Sequence, residues 1–351
     1  MTAKTEVPSL IKRFRDCRLL LLGDVMLDEY LWGQVRRICP EAPVPIVEEM
    51  RRSSVPGGMA NVAVNAAALG AHVALCGVVG GDPQGEALRT MLGLLGIDST
   101  GLRTDPQRPT TTKTRIIAHN QQVLRVDRED TRPISFSLER ELLSLFRERL
   151  QSADVCILSD YAKGALSPAL TSEVIAAARQ CGRPVVVDPK GRDYRRYRGA
   201  SVITPNLSEA ALAAGDGAAS VTDLAGAGNR LIELLPGTSV LVTRGPEGLT
   251  LFRETAPPVS IPSAARHVYD VTGAGDTLVA ALAVAIATGC PLELAAALAN
   301  CAAGIVVGKV GTATVSTTEL LAAIDGVDLE LSEMSPAASE AIRDTSFHGL
   351  V

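Results

Sequence analysis

From residue 138 onward the chain repeats one pattern: a helical stretch, a short aliphatic run and a polar loop. The stretch 138–150 leads to the apolar run 155–158 and then to Ser159-Asp160-Tyr161-Ala162-Lys163-Gly164. The stretch 168–180 leads to 185–187 and Asp188-Pro189-Lys190-Gly191, and the run 202–204 leads to Pro205-Asn206-Leu207-Ser208-Glu209. The run 240–243 ends in Thr243-Arg244-Gly245. Strands alternating with helices predict a parallel sheet covered on both faces, and near-continuous apolar strands fit that burial. The fold class expected is therefore α/β, a doubly wound, mostly parallel sheet. Each strand ends in polar residues, so polar groups converge on one edge of the sheet, where open α/β sheets bind ligands.

The first half of the chain interrupts this pattern. Residues 18–22 form a buried-strand run stopped by Gly23-Asp24, with Asp28 four residues on. Segments 30–35 and 44–51 alternate in polarity, as do 110–118 and 122–127, the latter pair joined across His119-Asn120-Gln121. Alternation over this length predicts strands with one face in water or against a ligand. We assign them to a small discontinuous β lid, about 29–52 and 110–127, inserted into a main domain of residues 1–320. Exposed sheet edges tend to pair, which predicts a homodimer through the lids. Residues 321–351 are acidic and Ser/Ala-rich and read as a C-terminal tail.

Two glycine-rich stretches stand at predicted helix starts. Gly57-Gly58-Met59-Ala60-Asn61 precedes an Ala-rich run ending at Gly70, so backbone amides and the Asn61 carboxamide suit a sugar diol. Asp270-Val271-Thr272-Gly273-Ala274-Gly275-Asp276-Thr277 precedes an apolar helical run. Glycines at a helix N-terminus let a ligand reach free N–H groups, which makes an anion site. An aspartate there opposes simple phosphate binding. It fits a site that must also take a proton from a hydroxyl attacking that phosphate. The competing structural reading is a Gly-rich turn with Asp276 as a helix-start charge.

Composition narrows the partners. With 34 Lys+Arg against 39 Asp+Glu, a net charge of −5 and 3% aromatics, the chain offers neither a basic surface nor stacking platforms for nucleic acid. The opening residues lack the apolar core of a signal peptide, and the apolar run near 277–289 is too short and Ala-rich to span a membrane. Seven cysteines with no CxxC spacing suggest free thiols in a reducing cytosol.

Phosphoryl transfer needs a base, donors for the transferring group, a metal near the triphosphate and a nucleoside pocket. Asp276 and the amides of Gly273, Ala274 and Gly275 supply the first two. Asn206 and Glu209 offer an amide and a carboxylate at the same edge, Glu209 suiting Mg²⁺ through water, although a first-turn carboxylate also suits the helix dipole alone. Thr243, Arg244, Gly245 and Asn300 could frame the nucleotide. GxxxxGK[ST] and the protein-kinase motifs are both missing.

Gly57-Gly58 with Asn61, Asn206-Leu207-Ser208-Glu209, and the stretch from Asp270 to Thr277 together resemble the ribokinase-like, or PfkB, carbohydrate kinases. The resemblance covers about residues 17–318. It implies ATP and Mg²⁺, Asp276 as base, Gly273 to Gly275 as anion hole, and Asn206 to Glu209 as the nucleotide–Mg²⁺ element. It places the sugar on Asp28, Gly57, Gly58 and Asn61. It also implies a monovalent cation such as K⁺ near Asp270 and Thr272, as some relatives have. Within the family, GDVMLDEYLWG, PEAPVPIVE, PGGMANVAVN, NQQVLRVDRED, SDYAKG and DPKG look like the branch acting on a heptose 7-phosphate, in stand-alone form without a second, nucleotidyltransferase unit. Met59 is the departure expected to alter the sugar pocket. A phosphorylated substrate calls for cations, and Lys163, Lys190, Arg115 and Arg125 are the candidates, with Asp160 and Asp188 ordering their loops or touching sugar hydroxyls. Two other readings compete: a kinase for fructose, ribose or a hexose phosphate, and a non-catalytic sugar sensor on the same fold.

Overall fold

The computed structural model describes residues 3–119, 121–215, 223–265, 267–324 and 332–333. Its strands are β1 (Arg18–Gly23), β2 (Val25–Ile38), β3 (Pro45–Gly58), β4 (His72–Gly80), β5 (Asp98–Asp105), β6 (Thr112–Ala118) and β7 (Gln121–Arg128). They continue with β8 (Val155–Ser159), β9 (Val185–Asp188), β10 (Val202–Ile203), β11 (Ser239–Thr243), β12 (Leu249–Arg253), β13 (Ala256–Ile261) and β14 (Ser332–Glu333). Ten of them form one sheet in the order β14-β13-β12-β11-β10-β9-β8-β1-β4-β5. From β5 across to β11 neighbouring strands run parallel, and β12 to β14 complete that edge antiparallel. The chain has the doubly wound α/β architecture expected.

Alternation within the buried strands sorts side chains to two cores. In β1, Leu19 and Leu21 join the core on one face and Leu20 and Leu22 the core on the other. Each of the four is at most 2% exposed, which stabilises by roughly 1.5–3 kcal/mol per side chain. One face is covered by helices Met59–Ala68, Ala274–Ala287 and Leu292–Val306, the other by Phe136–Leu150, Pro168–Gln180 and Leu224–Leu234. Helix Ala274–Ala287 is buried without interruption from Thr277 to Ala285. A helix apolar all round must be enclosed by protein, and its many alanines permit the close approach of two neighbouring helices.

Serine or aspartate side chains cap several of the other helices. Ser135 accepts from the N–H of Leu138, Ser167 from Leu170 and Asp82 from Gly85. Helix Ala274–Ala287 has no side-chain cap.

A second sheet, in the order β3-β2-β6-β7, stands on the carboxyl edge of the first. β2 follows β1 after Asp24 alone, and β3 runs directly into helix Met59–Ala68. Both strands exceed the segments legible in the sequence because their inner ends, Val25–Glu29 and Gly57–Gly58, are buried and lose the polar alternation. β7 is exposed along its whole length.

Met59 does not open onto the carboxyl edge of the sheet. It is fully buried in the core, 3.2 Å from where a Cβ on Gly77 would lie. Helix Thr317–Ile324 buries Leu320 and Ile324, so the core continues past residue 320. The rest of the tail, apart from residues 332–333, lies outside the described residues, as does Asn120. All seven cysteines are free, and burial pushes the thiols of Cys76 and Cys301 up to about 11, as befits small core residues. Among the described residues, no helix is long and apolar enough to cross a membrane.

Candidate active site

Gly273 occupies the left-handed region at φ 79° and stands as N-cap of helix Ala274–Ala287. A side chain there would meet the Asn61 amide at 2.9 Å, whereas a Cβ on Gly275 would meet nothing within 4 Å. The glycines thus do different work: Gly273 makes the turn and Gly275 opens the helix end to a ligand. The Ala274 N–H is already bonded to the Val271 carbonyl at 3.2 Å, so it is a weaker member of the expected anion hole than Gly275.

Asp276 projects from this first turn into a cavity of about 300 Å³. Each carboxylate oxygen holds a donor: the Tyr161 hydroxyl bonds Oδ1 and the Asn61 Nδ2 bonds Oδ2, both at 2.5 Å. Withdrawal from water raises the Asp276 pKa to about 6; the two donors hold it down against that burial, Asp28 raises it further, and Lys113 lowers it. A carboxylate with a pKa near working pH suits a general base.

Asn61 is oriented from behind. Its Oδ1 accepts from Asn65 Nδ2 at 3.2 Å, and Asn65 Oδ1 accepts from the Thr277 hydroxyl at 2.8 Å. The relay fixes which end of the Asn61 amide faces Asp276, so its donor serves the carboxylate.

The base of the second sheet supplies the opposite wall. Asp28 accepts from Arg115 at 2.8 Å, and Arg115 lies over the Tyr30 ring. Gly57 does not line the cavity, but a Cβ on it would lie 2.7 Å from Asp28 Oδ2, so it makes room for that carboxylate. Gly58 lines the cavity at φ 55°. Lys113, one strand over, also lines it, lying 5.7 Å from the Tyr161 ring centre. Burial lowers its pKa, and among the described residues it forms no ion pair.

Asn206 and Glu209 line the same cavity and form a reciprocal capping box at the start of helix Leu207–Ala214. Glu209 also takes Lys190 Nζ at 2.6 Å. Leu207 and Ser208, in the first turn of that helix, do not line the cavity, and Leu207 packs against the core instead. Asp188 lines the cavity with its pKa raised well above the usual range, by burial first and then by the nearby carboxylates of Asp276 and Glu209.

A second, mainly apolar cavity of about 200 Å³ shares Thr243, Gly275 and Leu278 with the first. Gly245, Val268, Val271, Ala274 and Asn300 are among its walls. The Asn300 amide is spent on the Pro262 carbonyl at 2.6 Å, which fixes the wall. Arg244 is turned back onto Glu247 at 3.0 Å and lines neither cavity. Asp270 accepts from the N–H groups of Thr272 and Gly311, tying the loop before one helix to the loop after the next, and Thr272 lines the polar cavity.

Several expected ligand residues stand elsewhere. Lys163 pairs with Glu129 at 2.7 Å and Lys190 with Glu209, and neither lines the cavity. Arg125 pairs with Asp127 on exposed β7. Asp160 is buried and committed to Arg196, Tyr197 and the N–H of Ala162. Asp24 likewise serves the backbone, accepting from Tyr161, Lys163 and Ala165. Conversely, sequence reasoning passed over Lys113, Tyr161 and Thr312 as cavity residues. The signal for Tyr161 was its place one residue beyond Asp160 at a strand end; for Lys113 it was its alternation with Arg115 on one strand.

The family model described as pfkB family carbohydrate kinase matches residues 18–319. The Bifunctional protein HldE of Geobacter metallireducens is 47% identical over 318 residues, 91% of this chain and 65% of that protein. The Bifunctional protein HldE of Caulobacter vibrioides is 46% identical over 332 residues, 94% of this chain and 68% of that protein. The chain thus spans about two thirds of the length of these relatives. Among solved structures, the ribokinase of Arabidopsis thaliana complexed with ribose and ATP superposes with a TM-score of 0.70 at 22% identity, over 90% of this chain and 99% of that one. Phosphofructokinase-2 of Escherichia coli in complex with potassium gives 0.73 at 18% identity, over 88% and 99%. Likeness at these identities shows the shared fold.

Proposed function

The chain belongs to the pfkB family of carbohydrate kinases and is an ATP-dependent sugar kinase, and from that premise we propose that its acceptor is D-glycero-D-manno-heptose 7-phosphate, phosphorylated on the anomeric O1. The product would be the 1,7-bisphosphate, a lipopolysaccharide core precursor. The observation that carries a phosphorylated acceptor is Lys113, an ammonium without an ion-pair partner among the described residues, in the same cavity as Asp276. With Arg115 beside it, it provides charge for a second phosphate that a neutral-sugar site would not need. The heptose branch is supported by the sequence stretches named above and by likeness to the HldE proteins.

The sugar would lie between Asp28, Gly58 and Asp276, the γ-phosphoryl at the opening left by Gly275, and the base of ATP in the apolar cavity. O1 forms a bond to phosphorus as the bond from phosphorus to the β–γ bridging oxygen breaks. The O1 proton passes to Asp276, and ADP leaves. Helix Ala274–Ala287 stabilises charge on the transferring oxygens through its uncapped end.

Mg²⁺ fits the carboxylates present. The crowding of Asp188, Glu209 and Asp276 is the kind of charge a divalent ion relieves. Among the described residues, no cluster of three or more His, Cys, Asp or Glu side chains is placed to hold an ion directly. Glu209 would then act through water, with the nucleotide supplying ligands. Asp270 and Thr272 are the residues we assign to a monovalent cation such as K⁺. The second sheet would act as lid and as dimer interface, since β7 exposes Val123, Leu124 and Val126 at 43%, 54% and 49%.

An ADP-release assay across heptose 7-phosphate, free heptose, fructose, ribose and hexose phosphates tests this reading. Preference for heptose 7-phosphate is expected. A higher kcat/KM with any other sugar overturns the substrate assignment, and no turnover at all would favour the sensor.

A further inference from the structure

We infer that Tyr161 is a positioning residue for the phosphoryl transfer, its hydroxyl fixing the carboxylate of the base Asp276 and stabilising that carboxylate in its charged form. The inference rests on the reading of Asp276 as base. The phenol lines the cavity and donates to Oδ1 at 2.5 Å, while Asn61 holds the other oxygen. With both oxygens tethered, the carboxylate cannot rotate about its last bond without breaking a charge-assisted hydrogen bond.

The loop that presents Tyr161 is built tightly. Asp24 collects the N–H groups of Tyr161, Lys163 and Ala165, and Asp160 collects that of Ala162. Ala162 sits at φ 55°, in the left-handed region that non-glycine residues seldom adopt. A Cβ on Gly164 would strike the Arg132 carbonyl. Two buried carboxylates and a strained residue are spent on one six-residue turn, and its inward-facing product is the Tyr161 phenol. Such strain persists where surrounding structure over-determines it.

The groups facing Asp276 come from five elements: Tyr161 after β8, Asn61 from helix Met59–Ala68, Asp28 from β2, Lys113 from β6 and Asp188 from β9. Tyr161 itself stays a phenol, because burial and then Asp276 raise its pKa well above 10. Its proton is therefore a permanent donor to the base.

The test uses Tyr161→Phe, which keeps the ring under Lys113 and removes only the hydroxyl. The Asp276 carboxyl is followed by carbon NMR titration of protein labelled at the aspartate carboxyl carbon, its resonance assigned by its loss in Asp276→Asn. The midpoint should rise by on the order of one pH unit in Tyr161→Phe. With ATP and the sugar that the panel selects, the acidic limb of kcat/KM from about pH 5 to 9 should move by the same amount, leaving most activity above about pH 8. An unchanged or lowered midpoint overturns the inference, as does a loss of activity equal at all pH values. Failure of every sugar to turn over would count against the proposed function, and the NMR titration would still decide the role of Tyr161.

Discussion

Lys113→Ala separates the proposed phosphate pocket from its alternatives. The ammonium is half-buried; withdrawal from water lowers its pKa, Asp28 opposes that, and Lys163 and Arg125 add to it. Its contacts are the Tyr161 ring and the field of Asp28, which is itself committed to Arg115. A phosphate placed there gains one charge-assisted contact with an ammonium whose desolvation has already been met by folding. Losing that contact should cost about 1.5–3 kcal/mol, or roughly a 10- to 150-fold rise in KM for the sugar phosphate. KM for ATP should barely move, because Lys113 does not line the apolar cavity. Steady-state ADP release with the sugar phosphate, and with the same sugar lacking its phosphate, reads the effect. The unphosphorylated sugar should be nearly indifferent to the change. Equal losses on both sugars, or a rise confined to ATP, would refute the assignment and return the search to Lys163, Lys190 and Arg125.

Three other outcomes follow from the same geometry. The acidic limb of kcat/KM should have its midpoint near pH 6, since the base works only when ionised and the Asp276 pKa is raised to about 6; a flat profile down to about pH 5 would contradict it. Lys190→Ala removes the partner of Glu209 at 2.6 Å and should raise KM for Mg-ATP several-fold, at most about tenfold, while sparing the sugar phosphate, as substrate titrations would show. Light scattering at micromolar concentration should show a dimer that Leu124→Glu with Val126→Lys converts to monomer, because both side chains are about half exposed on β7; a monomeric parent protein would exclude the interface.

The sheet was legible in the sequence because parallel strands buried on both faces must be apolar throughout, and the runs at 155–158, 185–187 and 240–243 all fell on strands β8, β9 and β11. The helix start at Gly273 was legible because glycines stand directly before a long apolar run, and helix Ala274–Ala287 begins there. The inner ends of β2 and β3 were hidden because they pack against the core and drop the polar alternation of their outer halves. Local spacing could not separate the lysines. Lys163 and Lys190 stand at strand ends, as ligand residues do, yet Glu129 and Glu209 claim them across 34 and 19 residues of sequence. Lys113 looked like an edge-strand charge, and only the pairing of β6 beside β2 carries it to the cavity. Tyr161 reaches Asp276 through a hydrogen bond between residues 115 apart in sequence. Partners that distant leave no local pattern.

If Asp276 takes the proton of the acceptor hydroxyl, Asp276→Asn should abolish that step. The amide keeps the shape at the helix start and cannot accept that proton. Single-turnover measurement of ADP formation should show a loss of at least roughly 100-fold in the chemical step, with the KM values for sugar phosphate and ATP largely retained. Turnover within a few-fold of the parent protein would contradict that role and leave the Gly273–Asp276 turn as an anion site whose carboxylate serves another purpose.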